Sequence, residues 1–252
     1  QKYKKFDRVI TVTRVSKTLA FSFISPNLVY SDATVVVTSD KAATFAILQS
    51  NIHSVFAWQH SSRLKNDLRY SPTDALEPFP MPEIQNLETL EMLGSELHHL
   101  RSEFMEKYHF GLTKFYNLMH NAETSKDNIE RIRELHQAID EAVVAAYNWD
   151  IDLRHGFHKV PYLPENDCIR FTISEDARLE VLRRLADLNR KRYKQENDHG
   201  LHDDSNSIKN LSKNKQKQPE NKATALPLDL PELAFSRSDQ TKNAILNFLR
   251  TR

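Results

Sequence analysis

Eleven histidines are the most visible candidates for chemistry in this 252-residue chain, because histidine is the commonest metal ligand in proteins. His98 and His99 are adjacent, whereas two ligands on one face of a helix stand four residues apart. His155 and His158 have no partner cysteine and no clear carboxylate pattern beside them. Solvated or hydrogen-bonding histidines explain this set better than a metal site does, so we expect no bound metal.

No catalytic arrangement stands out either. Cys168 is the one cysteine, and an incidental or buried thiol explains it better than a nucleophile paired with a distant histidine. A nuclease of the restriction type needs an acidic residue two positions before a lysine on a strand. The one pair with this spacing is Glu220 and Lys222, and it lies in a polar stretch that does not predict a strand. The chain has four glycines, none close enough to another to form a phosphate-binding loop, and no Gly-x-Ser-x-Gly turn. We therefore expect no catalytic residue.

A basic cluster near the N-terminal end is the stronger signal. Residues 1–82 carry ten basic and six acidic side chains, whereas residues 83–150 carry six and 13. Lysine and arginine neutralise DNA phosphates, and arginine or asparagine can read base edges. An ordinary solvated surface would have the same composition, so charge alone leaves both interpretations open. The candidate DNA-binding residues, beside His60 and Tyr70, are Arg14, Lys17, Arg63, Lys65, Asn66 and Arg69.

Strands and one helix must position this cluster. Runs of β-branched and aromatic residues predict strands over residues 8–13, 19–24 and 34–38. Asp40 is a typical N-cap for a single helix that ends near residue 60. The proline-rich run 78–82 fits neither a helix nor a central strand. It predicts a stiff, extended connector and a domain boundary.

Beyond the connector the hydrophobic period becomes helical. The sequence predicts helices from Leu87 to Tyr108, from Leu112 to Met119, from a capping box at Asp127, and from Ser174. An irregular stretch around residues 155–158 separates the last two. The predicted fold is α+β, a small mixed β-sheet module with one helix followed by a mainly α-helical region. Its predicted parts are residues 1–82, the helical domain 83–197, a flexible polar linker at 198–225, and a docked extended segment with a short C-terminal helix at 226–252.

Several blocks of the sequence, in the same order, resemble one family. The run from Arg63 to Pro80 resembles the end of the target-recognition region in large, single-chain restriction–modification-type adenine DNA methyltransferases of the type II or IIG-like kind. Arg14 to Lys17, followed by Leu19 to Phe21, resembles the opening of that region. Similar blocks continue downstream, so that the resemblance covers roughly residues 8–195. They lie at residues 111–117, 131–136, 145–149, 155–158, 170–174 and 188–193.

The resemblance implies a division of labour. In the family an upstream domain binds S-adenosylmethionine and methylates adenine, while the C-terminal part selects the DNA sequence. This chain lacks the Asn/Asp-Pro-Pro-Tyr/Phe tetrapeptide and the glycine-rich cofactor loop of such enzymes, and it has no initiator methionine. We therefore expect a recognition fragment of a longer protein, without cofactor or catalysis of its own. The methyltransferase activity, S-adenosylmethionine and any restriction nuclease would belong to the parent protein.

The expected partners are duplex DNA and the upstream methyltransferase domain of the same parent chain, in a prokaryotic cytoplasm and without a membrane. Basic residues of the first 82 would hold phosphates while loops enter the major groove. Two alternatives remain. The chain could be a helical protein–protein interaction or scaffold module of a phage-defence complex, with an incidental basic patch. It could also be an intact hydrolase that uses the histidines.

Overall fold

Six short strands and two helices form the first part of the chain. The structure, a computed structural model, describes residues 5–83, 88–124 and 128–198. The strands are β1 (Val9–Thr13), β2 (Val15–Ser16), β3 (Ser22–Ile24), β4 (Thr34–Val37), β5 (Ser62–Leu64) and β6 (Asp67–Arg69), and the helices are α1 (Ala42–Gln49) and α2 (Asn51–His60). A π-helical turn, Pro72–Leu76, follows β6.

The strands form two antiparallel sheets in place of the one mixed sheet expected from the sequence. The first sheet has the order β3-β1-β4 and the second has the order β2-β6-β5. Strand β1 lies at the centre of the first sheet, and its residues Val9, Ile10 and Val12 are buried because the strand packs into the core. The three predicted strands are present, with the second limited to β3.

The single helix expected from Asp40 is two helices. Ser50 has extended backbone angles, which end α1, and its hydroxyl accepts the backbone N–H of His53, which begins α2. Asp40 is not the cap of α1, since the N-cap is Lys41, whose side chain makes no capping hydrogen bond. The Glu91 carboxylate, from another helix, instead accepts the first two backbone N–H groups of α1, at 3.0 and 2.7 Å.

Helices dominate the second part of the chain, in agreement with the predicted α+β class. They are α3 (Glu88–Tyr108), α4 (Leu112–Met119), α5 (Ile129–Ala146) and α6 (Glu175–Asp198). Helix α6 begins one residue after the predicted start at Ser174, whose hydroxyl caps the helix by accepting the backbone N–H of Ala177 at 3.3 Å. The helical spacing of the leucines from Leu179 onward predicts that Leu179 is buried, but it is 37% exposed. The predicted capping residue of α5, Asp127, lies outside the described residues.

The stretch between α5 and α6 contains a β-hairpin, although the sequence indicated irregular structure. Strands β7 (Gly156–Lys159) and β8 (Ile169–Thr172) pair antiparallel, with Phe157 opposite Phe171. A short 3₁₀ turn, Glu165–Asp167, lies in the connection between them. The run of four residues per strand is too short to show a clear alternation in the sequence, which explains why it was missed.

The proline-rich run 78–82 is neither helix nor strand, as predicted, and it is largely buried. It is not the extended connector that the sequence predicted, because the chain turns here: the Phe79 N–H donates to Leu76 O at 3.3 Å and the Met81 N–H donates to Phe79 O at 2.9 Å. Phe79 is 1% exposed and packs edge-on against Phe56. The carbonyls of this run accept hydrogen bonds from α6 and from the residue after α5. Their donors are Asn189, to Pro78 O at 3.0 Å, Tyr147, to Pro80 O at 2.9 Å, and Arg192, to Met81 O at 2.8 Å. The domain boundary at this run stays a prediction, and residues 199–252, with most of the predicted linker and all of the C-terminal segment, lie outside the described residues.

Close contacts join the two parts around one hydrophobic core. Gly94 of α3 lies so near α1 that a Cβ atom there would stand 2.2 Å from Ala42 O. Arg101 of α3 is 2% exposed and donates to Phe21 O at 2.6 Å and to the Tyr116 hydroxyl at 3.1 Å. Among the described residues, no helix is long and apolar enough to cross a membrane.

Candidate nucleic-acid interface

The β2-β6-β5 sheet brings the six predicted DNA-binding residues together. Its central strand, β6, pairs Arg69 with Val15 on one side and with Ser62 on the other. The six residues lie on this sheet or within one residue of its strands, and all six are exposed. They come from two segments nearly 50 positions apart, so the pairing of β2 with β6 is what assembles the cluster.

The two faces of this sheet differ in burial, since one faces the core and the other faces solvent. Leu68 points into the core and is 1% exposed, and alternation along β6 therefore directs Arg69 outward. Val15 and Leu64 share the outer face, at 38% and 53% exposed, so Arg69 stands among apolar groups. Arg63 pairs with Leu68 on the inner side of an edge strand, and its guanidinium lies 5.8 Å from the centre of the Trp58 ring.

A two-residue turn joins β5 to β6 and carries Lys65 and Asn66. Lys65 has a φ of 57°, a left-handed conformation that residues other than glycine adopt at some cost. Both side chains are exposed at the tip of the hairpin. Arg14 lies at the other end of the sheet, where its carbonyl accepts the Tyr70 N–H at 2.6 Å. Lys17 lies just beyond the other end of β2, so Arg14 and Lys17 flank this two-residue strand.

The positive charges of this sheet are mostly uncompensated within the protein. Among the described residues, Arg14, Lys65 and Arg69 form no ion pair. Lys17 is different, since its Nζ lies 3.1 Å from the Asp167 carboxylate. Burial alone would raise the pKa of Asp167, but hydrogen bonds from Arg170 and Lys17 outweigh it and lower that pKa below its ordinary value.

Of the two neighbours of the predicted cluster, Tyr70 belongs to the core and His60 is half-buried. The Tyr70 hydroxyl lies 3.0 Å from His53 Nε2, and both rings are fully buried. Burial lowers the pKa of His53 to about 3 and raises that of Tyr70. Burial also lowers the pKa of His60 to about 4, against the opposing charge of Asp74. His60 is therefore neutral at pH 7 and adds no positive charge to the surface.

A buried polar cluster joins α2, α5 and the β7–β8 hairpin. The Asp140 carboxylate accepts the backbone N–H of Asn51 at 2.6 Å, the side-chain amide of Asn51 at 2.7 Å and the His155 Nε2–H at 2.8 Å. The Thr172 hydroxyl donates to Asn51 Oδ1 at 2.8 Å. The side chains of Asp140 and His155 are 0% and 3% exposed, so this cluster fastens elements together and offers no access to a substrate.

The other groups considered for chemistry are also engaged in packing. Cys168 is buried, and its thiol donates to Glu165 O at 3.1 Å. His98 packs edge-on against the Phe23 ring at 5.1 Å between centroids. No group of three potential metal ligands occurs among the described residues. The expectation of no bound metal stays a prediction.

Contacts around the sheet include residues that the sequence did not single out. The Arg8 guanidinium lies 3.7 Å from the centre of the Phe23 ring, next to the first sheet. Trp58 stacks on Tyr162 at 4.5 Å, and Asp167 binds Lys17. The alternation from Ser62 to Arg69 could have revealed β5 and β6, but no local signal shows that the β7–β8 connection packs beside them.

Comparison with known proteins identifies the class of the first part. Residues 4–83 match the family model described as "MmeI, target recognition domain". Both ends of the recognition region proposed from the sequence, Arg14 to Lys17 and Arg63 to Pro80, lie within this match. The resemblance to restriction–modification-type enzymes is therefore confirmed over these residues.

A solved structure has the same fold over a longer stretch. It is the structure of the Type IIL restriction-modification enzyme MmeI in complex with DNA, which matches with a TM-score of 0.55 and 18% identity over 75% of this chain. The match covers 22% of the MmeI chain, so the present chain corresponds to a minor part of that enzyme's length. No curated protein sequence matches the chain.

Proposed function

We propose that this chain is the DNA sequence-recognition part of a restriction–modification-type adenine DNA methyltransferase. The observation that carries the proposal is that residues 4–83 match a target recognition domain and fold so that six separate polar and basic side chains meet on one sheet. The solved structure with the same fold is of a complex with DNA, which supports duplex DNA as the ligand of this chain. This chain would bind the duplex and present the target adenine to an upstream catalytic domain.

Phosphate contacts and base contacts would be divided over the sheet. Arg14 and Lys17 flank the two-residue strand β2, and both side chains are exposed, so each can contact a backbone phosphate. The β5–β6 hairpin projects Lys65 and Asn66 from the sheet, and a two-stranded ribbon fits the major groove. Arg69 stands on the outer face beside apolar Val15, where a guanidinium can form paired hydrogen bonds with a base edge.

The remaining regions would serve this recognition surface. The acidic stretch 83–150 would repel DNA, and we assign it the role of supporting the sheet or contacting the upstream methyltransferase domain. S-adenosylmethionine would bind to that upstream domain, and this chain would need no cofactor. The parent protein would work in the prokaryotic cytoplasm, either with a nuclease or as a methylating phage-defence system.

The test is the salt dependence of duplex DNA binding by the 252-residue chain. Arg63, Lys65 and Arg69 are replaced together by alanine, and the matched control replaces Arg183, Arg184 and Arg190, which form ion pairs on α6. Each phosphate contact contributes about 0.9 to the slope of log K against log salt, so the sheet variant should bind DNA more weakly, with a lower slope wherever a replaced cation neutralises a phosphate. The control should keep the wild-type slope and affinity.

Two results would overturn the proposal. Absence of DNA binding at low salt, or equal affinity of the wild type and the sheet variant, would favour the alternative of a helical protein-interaction module with an incidental basic patch. Methyl transfer to DNA by this chain alone, with added S-adenosylmethionine, would show that the catalytic site is within it.

A further inference from the structure

The connection between β7 and β8 lies against both edges of the β2-β6-β5 sheet. On one edge Asp167 binds Lys17, which follows β2. On the other edge Tyr162 stacks on Trp58, with ring planes 20° apart, and Arg63 of β5 lies over the same indole. This connection is outside residues 4–83, which match the recognition domain. One of the six candidate DNA-binding residues, Lys17, is thus held by a different part of the chain, and Arg63 lies over an indole against which that part packs.

Asp167 is held rigidly from the interior. Its Oδ1 accepts Arg170 at 2.6 Å, and the side chain of Arg170 is 13% exposed. Its backbone N–H donates to Pro164 O at 2.8 Å, and Val160 N–H donates to Cys168 O at 2.8 Å. The carboxylate therefore has a fixed position before it meets Lys17, because backbone and side-chain bonds both constrain it.

The Lys17 ammonium binds the second oxygen of the same carboxylate. Its Nζ donates to Asp167 Oδ2 at 3.1 Å while the side chain remains 52% exposed. A free lysine side chain loses much rotamer entropy when it is immobilised on a ligand. A fixed neighbour that already restricts the side chain reduces this loss on binding. Two of the three ammonium hydrogens remain available to an external anion.

We propose that Arg170, Asp167 and Lys17 form a relay in which Asp167 is a positioning residue that presents the Lys17 ammonium to a phosphate of duplex DNA. The inference rests on the proposed DNA-recognition function and deepens it. It assigns a role to a residue of the β7–β8 connection, beyond the part of the chain that matches the recognition domain.

The relay makes a prediction opposite in sign to simple electrostatics. Replacing Asp167 by asparagine removes a negative charge beside a DNA-binding surface, and charge repulsion alone then predicts tighter binding. If Asp167 positions Lys17, the same substitution weakens binding, because Lys17 loses its fixed orientation. The direction of the change in affinity therefore separates the two mechanisms.

The experiment measures duplex binding by the whole chain at low and moderate salt for Asp167→Asn, Lys17→Met and the double variant. We expect about threefold weaker binding for Asp167→Asn and about tenfold for Lys17→Met, with a slope lower by about 1 for the latter. In the Lys17→Met background Asp167→Asn should change the affinity by less than about twofold, because the two residues act as one unit.

Glu96→Gln is the matched control, since it removes one carboxylate from the exposed pair with Arg131 that joins α3 to α5. It should leave DNA affinity unchanged, and thermal unfolding of each variant should match the wild type within a few degrees. Equal or tighter binding by Asp167→Asn, or a full effect of it in the Lys17→Met background, would overturn the relay. Failure of the wild type to bind DNA would instead overturn the proposed function.

Discussion

The arginines of the sheet and those of the helices differ in what surrounds them. Within the described residues Arg14 and Arg69 are exposed and form no ion pair with a carboxylate. Most arginines of the helices form an ion pair with an acidic side chain, in which a guanidinium nitrogen lies within about 2.7 Å of a carboxylate oxygen. These pairs are Arg131 with Glu96, Arg133 with Glu130, Arg178 with Glu175, Arg183 and Arg184 with Glu180, and Arg190 with Asp187.

This difference shows how one chain with a net charge of +1 can offer a positive surface to DNA. An exposed ion pair contributes at most about 1 kcal/mol to stability, so the helical pairs are a minor source of folding energy. Their larger effect is to neutralise cations that would otherwise bind phosphate elsewhere. Within the part of the chain that the structure describes, Arg14, Lys65 and Arg69 of the sheet have no carboxylate partner, so their charges remain available to an external anion.

The largest expected change in stability comes from replacing Arg101. This arginine is the exception among those of the helices, because it is buried without a carboxylate partner among the described residues. Arg101→Met should lower the free energy of unfolding by about 3 kcal/mol, since Phe21 O and the Tyr116 hydroxyl lose their donor in the core. Urea unfolding measures this change. A loss below about 1 kcal/mol would mean that the guanidinium does not connect α3 with the sheet and α4.

The next effect concerns the close approach of α3 to α1. Gly94→Ala should destabilise the protein by about 2–3 kcal/mol, because the added methyl group would meet Ala42 O and force the helices apart. Gly111→Ala is the matched control, with no atom within 4 Å of the added group, and should cost less than about 1 kcal/mol. Equal unfolding midpoints for the two variants in urea would contradict the tight contact.

Acid should destabilise both parts of the molecule. Burial lowers the pKa of His53, His120 and His136 to about 3, so the folded protein keeps them neutral while the unfolded chain takes up protons below its ordinary pKa of about 6.5. Stability is therefore complete above pH 6.5 and falls as the pH decreases toward 3.

Urea unfolding at pH 7 and pH 5 measures this loss, with at most about 2 kcal/mol for each of the three histidines. His136→Gln should reduce the difference between the two pH values, whereas His99→Gln, at an exposed position on α3, should leave it unchanged. A wild-type stability that is the same at both pH values would show that these histidines do not remain neutral in the folded protein.

The smallest effects on stability directly test the difference between the arginines of the sheet and those of the helices. Arg69→Ala should change the free energy of unfolding by less than about 0.5 kcal/mol while it weakens DNA binding. Arg131→Ala removes the exposed ion pairs with Glu96 and Glu134, so it should lower the urea midpoint only slightly and leave DNA affinity unchanged. If both variants bound DNA equally well, the uncompensated charge of the sheet would have no special role.

The sequence predicted periodic elements well and contacts between distant segments poorly. Helix α4 ends at Met119 as predicted, and Ser174 caps α6, because hydrophobic period and capping are local properties. The break at Ser50 and the carboxylate of Glu91 over α1 depend on packing, which local propensity does not determine. The six candidate residues were chosen from charge and position, and their DNA contacts stay a prediction. The link between Lys17 and Asp167 joins positions 150 residues apart and has no local signal.

The buried run 78–82 has a consequence for the exchange of recognition domains between related enzymes. A graft that ended at residue 83 would carry Pro78, Pro80 and Met81 without the three side chains that bind their carbonyls. The smallest transplantable unit therefore extends beyond the matched recognition domain. The graft must include Tyr147, Asn189 and Arg192. Otherwise the recipient protein must already have equivalent hydrogen-bond donors at the same places.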